Sequence, residues 1–416
     1  MTRHLLRLIW NRKRQNFLLT LEIFFSFVAL FGVVLLAMQF ANNSRQPLGF
    51  SIDRVWSITI DRKENDQDPA VKARHRAVMR QLLRAIHEMP QVEASAASFT
   101  SPYASWSWGG STRLSGGRQI PHSVNSVTDD FPQVFQMPLI AGRWFSREDD
   151  AATWTPVLVN ARMARAIFGD ANAVGQIIPE ERDPNDPPPD PTEKPEVRRV
   201  IGVFDDFRKD GEFSAPENFL FQRARLDDGA DPKSPMPGRL VIRLAPGTPA
   251  VFEETLVRRL MAEAPNWSFD VRGEDVMRET MLRQYTMPLI AIGTVAGFLL
   301  LMVALGLTGV VWQSVTQRIR EFGLRRAKGA TIADIRRQVL VEMIIMTSIA
   351  LVVGVALLAQ LPLLPLPSEL DVIPSGVFTL SIAASAGAIY VLTLLCGWYP
   401  SRLATRVQPA EALHYE

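Results

Sequence analysis

Apolar residues along this chain gather into four long runs, at 17–40, 286–312, 339–361 and 377–398, and the stretches between them are as polar as any globular protein. At a rise of about 1.5 Å per residue, each run is long enough as a helix to cross the roughly 30 Å hydrocarbon core of a bilayer. The pattern therefore predicts an α-helical membrane bundle of four transmembrane helices, arranged 1+3, with a large α+β domain between the first helix and the second. The boundaries read as an N-terminal segment 1–16, helix 17–40, domain 41–285, helix 286–312, loop 313–338, helix 339–361, short loop 362–376, helix 377–398 and tail 399–416. A cleaved signal peptide is the rival reading of the first run. The run is too long for an h-region and no small-x-small site precedes Asn42, so the segment is expected to stay as a span.

Inside 41–285 the periods change. Val55 to Ile60, Val157 to Val159, Val200 to Phe204 and Leu240 to Leu244 read as strands, while 70–88, 161–168 and 249–264 carry helical spacing, with Val78, Leu82, Leu83 and Ile86 on one face of the first. Alternating strands and helices predict a compact α+β domain of one or two lobes. The stretch 179–195 is so rich in Pro, Asp and Glu that it reads as an exposed loop.

Charge gives the orientation. Arg3, Arg7, Arg12, Lys13 and Arg14 precede the first run with no acid among them. Arg318, Arg320, Arg325, Arg326, Lys328, Arg336 and Arg337 lie in 313–338 against only Glu321 and Asp334, whereas 362–376 holds no Lys or Arg. By the positive-inside rule both termini and 313–338 are cytoplasmic, and 41–285 faces the outside, which for a bacterium means the periplasm or the cell exterior. The near-neutral net charge of +2 gives no reason to expect a nucleic-acid partner. The single cysteine, Cys396, excludes an intrachain disulfide. Glu22 and Glu342 are the acids within the spans, both near cytoplasmic ends, where an ion-coupled transporter would bury several deep in the bundle.

Catalytic chemistry is missing. The sequence has no GxxxxGK[ST] loop to cradle a nucleotide, no HExxH and no G-x-S-x-G elbow, and the five histidines are scattered. His75 and His87 share a helix without a face suited to a metal, and read as solvated. Leu114-Ser115-Gly116-Gly117-Arg118-Gln119 looks like the signature of an ABC ATPase, but paired glycines between two short polar strands read better as a hairpin turn. The chain is expected to be neither an enzyme nor the holder of a cofactor or metal.

The loop 313–338 is the most specific part. Gly323 and Gly329 allow close backbone approach or positive φ, and Thr331 with Asp334 reads as the capped start of the third helix. Arg325 and Arg326 would face lipid phosphate or a protein partner. Arg320 to Thr331, REFGLRRAKGAT, resembles the E-[IF]-G-[LI]-R-[RK]-A-x-G-A motif of the MacB/FtsX-like permeases, and Tyr399 to Leu413 resembles the P-A-x-x-A-x-x-x-x-P-x-E-A-L ending of the same family. Val127 to Phe131, Ala141 to Phe145, Val159-Asn160, Ile167-Phe168-Gly169, Val174-Gly175 and Ile201-Gly202-Val203 look like its periplasmic core domain. The chain departs at Ser401, where members often have Ala, and in the proline-rich insertion.

The resemblance covers nearly the whole chain and implies the permease subunit of an ABC transporter in the bacterial inner membrane. It implies a dimer with an identical or homologous permease, and a separate cytoplasmic ATPase subunit that binds the ATP, with a periplasmic adaptor as a further partner. In the family the loop is the coupling helix that docks into the ATPase, which assigns that contact to Glu321, Phe322, Gly323, Leu324, Arg325, Arg326, Gly329 and Ala330. The mechanism it implies is mechanotransmission, in which ATP hydrolysis moves the periplasmic domain to drive efflux or extraction. The alternative is an FtsX-like signalling or scaffold protein that activates a periplasmic partner.

Overall fold

A computed structural model describes residues 13–63, 68–104, 108–115, 117–181, 197–227, 229–230, 234–318, 321–322, 324–325, 329–363 and 373–404. The chain divides into a helical unit, 1–42 with 285–416, and a sheet unit, 43–284.

In the helical unit the apolar runs become four helices, of which the first is α1 (Lys13–Asn43), each long and apolar enough to cross a membrane. Leu19, Ile23, Phe27 and Phe31 recur every fourth residue and form one buried stripe of α1. They pack with Val303, Leu307, Val311 and Val315 of α6 (Glu274–Gln317), with Val339, Met343, Met346 and Ala350 of α7 (Ile332–Leu358), and with Ile389 of α8 (Ser375–Ala404). Residues off these stripes, such as Met287, Ile290, Phe298 and Leu305, stand bare, as lipid-facing side chains do. Thr347 and Thr393 hydrogen-bond at 3.1 Å and Ser348 and Tyr390 at 2.8 Å, so α7 and α8 are joined by polar contacts as well as packing. The third helix starts earlier than its apolar run because Thr331 and Asp334 cap it, and it stops at Leu358, before the 3-10 turn Leu361–Leu363.

The sheet unit is built on one continuous sheet among the described residues. Its strands are β1 (Val55–Arg62), β2 (Val92–Ser98), β3 (Trp108–Arg113), β4 (Gln119–Val127), β5 (Leu139–Gly142), β6 (Thr155–Asn160), β7 (Arg198–Phe204), β8 (Phe219–Arg223), β9 (Arg239–Leu244) and β10 (Trp267–Gly273). Their order is β10-β1-β9-β2-β4-β8-β6-β7-β5, with β3 pairing β4 to the side. Most pairs are antiparallel, but β4 with β8 and β6 with β7 are parallel. The helices are α2 (Pro69–His87), α3 (Phe131–Phe135), α4 (Ala161–Phe168) and α5 (Phe252–Glu263). On α2 the buried face is Met79, Leu82 and Ile86, packed with Leu256 and Leu260 of α5 over Ile58 and Ile242. Asp68 accepts the Ala70 amide at 2.8 Å to start α2, and Asn160 accepts the Met163 amide at 3.0 Å to start α4. A second cluster gathers Phe131, Phe135, Phe204, Phe207, Phe219 and Phe221.

Two sequence readings resolve here. The described residues of the ATPase-like hexapeptide join β3 to β4 as a hairpin: Arg113 pairs with Gln119, and Gly117, at φ 81°, donates its amide to the Leu114 carbonyl at 2.9 Å. His75, expected to be solvated, is instead buried with its ring edge-on to Trp267 at 5.3 Å, because α2 turns that face onto β10; His87 is exposed as expected. Most of the proline-rich stretch, and the C-terminal motif beyond 404, lie outside the described residues.

Candidate functional site

The loop between α6 and α7 is organised by one arginine. Arg318 follows the last residue of α6 and donates Nε to Glu321 at 2.9 Å and Nη1 to both oxygens of Glu342 on α7, at 2.9 and 3.1 Å. Glu321 also accepts Arg325 at 2.6 Å, and Arg325 reaches Gln338 of α7 at 2.5 Å. The chain of charges Glu342–Arg318–Glu321–Arg325 thus ties the loop to the start of α7 through charge-assisted bonds. Burial opposes the charge on Arg318, but the two carboxylates outweigh it and hold its pKa above the ordinary value.

Glu321, Phe322, Leu324 and Arg325 are helical. Phe322, 2% exposed, plugs into the core of the helical unit beneath the Arg318 guanidinium, which lies 5.3 Å from its ring centre. Leu324 points the other way and is 55% exposed. The Ala330 amide donates to the Arg325 carbonyl at 3.0 Å, and Gly329 stands at φ 96°, so the chain turns there. Thr331 then accepts the Asp334 amide while Asp334 accepts the Thr331 amide at 3.0 Å, closing the capping box that opens α7. Arg336, one turn on, lies over the Trp398 ring of α8 at 3.7 Å.

The structure separates the sequence-predicted residues by what they touch. Glu321 and Arg325 bond within the chain, Phe322 anchors the loop in the core, and Gly329 and Ala330 form the turn. Leu324 is the exposed apolar side chain, and Gly323 and Arg326 lie outside the described residues. Sequence reasoning did not place Arg318 and Glu342 among the site residues. An acid inside an otherwise apolar run is itself a signal, since it calls for a cation within reach. Among the described residues no group of His, Cys, Asp and Glu could hold a metal ion.

Residues 17–254 match the family model described as MacB-like periplasmic core domain, and residues 293–409 that described as FtsX-like permease C-terminal. The pyoverdine export ATP-binding/permease protein PvdT of Pseudomonas savastanoi pv. phaseolicola is 25% identical over 310 residues, 71% of this chain and 44% of its own length. The macrolide export ATP-binding/permease protein MacB of Bordetella avium is 26% identical over 313 residues, 71% of this chain and 43% of its own. MacB of Shewanella oneidensis is 25% identical over 420 residues, 98% of this chain and 59% of its own. The chain thus spans 44% of the length of the first of these relatives. Among solved structures, the periplasmic region of MacB from Actinobacillus actinomycetemcomitans matches 58% of this chain and 97% of its own, at 13% identity and a TM-score of 0.37.

Proposed function

We infer the function from the family, for the chain belongs to the MacB/FtsX-like ABC transporter permeases, and we propose that it is the membrane subunit moved by a separate cytoplasmic ABC ATPase. The observation that carries this reading is the division of labour in the loop 313–338. Arg318, Glu321, Arg325 and Phe322 fasten the loop to its own helices and leave Leu324 exposed for a partner. A surface that must deliver force needs that combination, because a loop free to swing would absorb the displacement.

On this reading the loop and both termini are cytoplasmic, by the basic flanks, and residues 41–285 work in the periplasm. The helix α6 runs without a break from the residue after β10 to the residue before Arg318, so one element joins the loop to the sheet unit in sequence. ATP-driven movement of the loop would pass along α6 and drive efflux or extraction of a substrate already outside the membrane. Two such permeases, identical or homologous, would be paired by two ATPases, with a periplasmic adaptor to carry the substrate onward. Because relatives are named for pyoverdine and macrolide export, small molecules are the substrates to test first.

The test is reconstitution of the chain with a co-purifying ABC ATPase in lipid. The expected result is ATP hydrolysis stimulated by the chain and lost in Leu324→Glu. A stable pair whose hydrolysis is indifferent to Leu324→Glu would contradict the assignment of the loop.

A further inference from the structure

The ten residues after β7, Asp205 to Ser214, touch both of the segments through which the sheet unit is joined in sequence to membrane helices. The first is 43–50, which runs on from Asn43, the last residue of α1. Arg208 is buried, and its guanidinium donates to the Asn43 carbonyl at 2.7 Å and the Gln46 carbonyl at 3.2 Å, while its Nη2 donates to the Ser214 carbonyl at 2.5 Å. The Arg208 amide donates to the Leu48 carbonyl at 3.2 Å. Gly49, at φ 82°, lies so close to the Asp206 backbone that a Cβ there would fall 1.6 Å from its carbonyl oxygen. Phe50 then packs on Phe207, ring centres 5.0 Å apart. An arginine out of water is tolerated where its N–H groups find acceptors, and here the two Nη groups find three backbone carbonyls.

The second segment is the first turns of α6. Glu212, buried, accepts Arg278 of α6 at 2.7 Å on one oxygen and the Tyr103 hydroxyl at 3.1 Å on the other. Burial alone would raise the Glu212 pKa, but Arg278 and Tyr103 bring it below the usual carboxylate value, so the carboxylate stays charged. Tyr103 belongs to both ends: its amide donates to the Lys209 carbonyl at 2.7 Å and its ring lies 6.3 Å from that of Phe50. The two attachments differ in kind. That of Arg208 is buried and made to backbone, whereas that of Arg278 is a side chain 52% exposed to solvent, held by one carboxylate.

We propose that residues 205–214 form a two-ended clasp that makes 43–50 and the start of α6 move as one body, which loosens as a unit when the Glu212–Arg278 pair is lost. A displacement entering along α6 would reach the segment after α1 through Glu212, Tyr103 and Arg208 rather than spread the two apart. The inference does not rest on the loop 313–338 docking an ATPase, since every contact in it lies within the sheet unit.

Hydrogen exchange of the full-length chain in lipid nanodiscs tests it. In Arg278→Gln, exchange is expected to rise roughly threefold to tenfold in peptides covering 274–284, 205–214 and 43–50 together, the size expected for losing one partly exposed charge-assisted bond. Peptides of β9 and α5 should stay unchanged, which reports that the fold is intact. A rise confined to 274–284 would overturn the clasp. Tyr103→Phe, which removes a single oxygen and preserves packing, should give a smaller rise in the same three segments. A response of 205–214 alone in that variant would overturn the clasp independently.

Discussion

Arg318 and Glu342, 24 positions apart in sequence, meet at 2.9 Å, and the same guanidinium bonds Glu321 of the loop motif. Both partners are largely shielded from solvent, with side chains 11% and 17% exposed, so the pair escapes most of the screening that makes surface ion pairs weak. Its geometry decides where the loop stands relative to α7, and several consequences can be measured.

Arg318→Met leaves Glu342 without this cation and removes one of the arginines that bond Glu321. A loss of about 1–3 kcal/mol in stability is expected, measured by thermal or denaturant unfolding in detergent. The exchanged pair Arg318→Glu with Glu342→Arg should recover part of it. Equal losses in the single and exchanged variants would show that the pairing itself contributes nothing.

Phe322 and Leu324, two residues apart on the same turn, should fail in opposite ways. Phe322→Ala opens a cavity in the core of the helical unit and is expected to cost about 3–5 kcal/mol. Leu324→Ala, on an exposed side chain, should stay within about 0.5 kcal/mol. If the loop docks an ATPase, Leu324→Ala should weaken stimulation of hydrolysis all the same, so stability and coupling are read from the same pair of variants.

Among the described residues no atom lies within 4 Å of where a Cβ on Gly329 would stand, yet its φ of 96° is one that side chains rarely adopt. Gly329→Ala is therefore strained without a clash. A cost of about 1–2 kcal/mol is expected, felt as faster hydrogen exchange at the start of α7. Unchanged exchange there would mean that the turn does not need its left-handed residue.

His122 offers a pH test in the sheet unit. Burial in β4 pushes its pKa below the usual histidine value; the Ile120 carbonyl, 3.1 Å from Nδ1, opposes this and Arg198 assists it. A depressed folded pKa means that the stabilising effect is complete above the unfolded value, about 6.5, and is lost as pH falls through the folded one. The Tm of the wild type should fall between about pH 7.5 and 5 more steeply than that of His122→Gln. Parallel slopes would exclude His122 as a source of acid sensitivity.

How much of this was legible depends on the distance over which each signal acts. The spans were readable because apolar runs of membrane length are rare in chains that fold in water, and the Thr331–Asp334 cap because it is complete within four residues. The strands β1, β6, β7 and β9 were found, whereas β5, β8 and β10 were not, and neither was β2, whose sequence VEASAAS has small residues buried by neighbouring strands rather than by their own hydrophobicity. Sheet order escaped for the same reason: alternation says that a strand has two faces, not that β4 lies parallel to β8. At the loop, the motif named the residues without saying which way they point. Phe322 turned inward and Leu324 outward, and the arginine that orders them bonds a residue on another helix.

Coupling to an ATPase depends most on the loop 313–338 facing the cytoplasm, where such a partner can reach it. In a chain with Cys396 replaced by Ser, Leu324→Cys should resist a membrane-impermeant maleimide in intact spheroplasts and react after lysis, while Asp270→Cys on β10 should react without lysis. Labelling of Leu324→Cys from outside intact cells would contradict the proposed coupling.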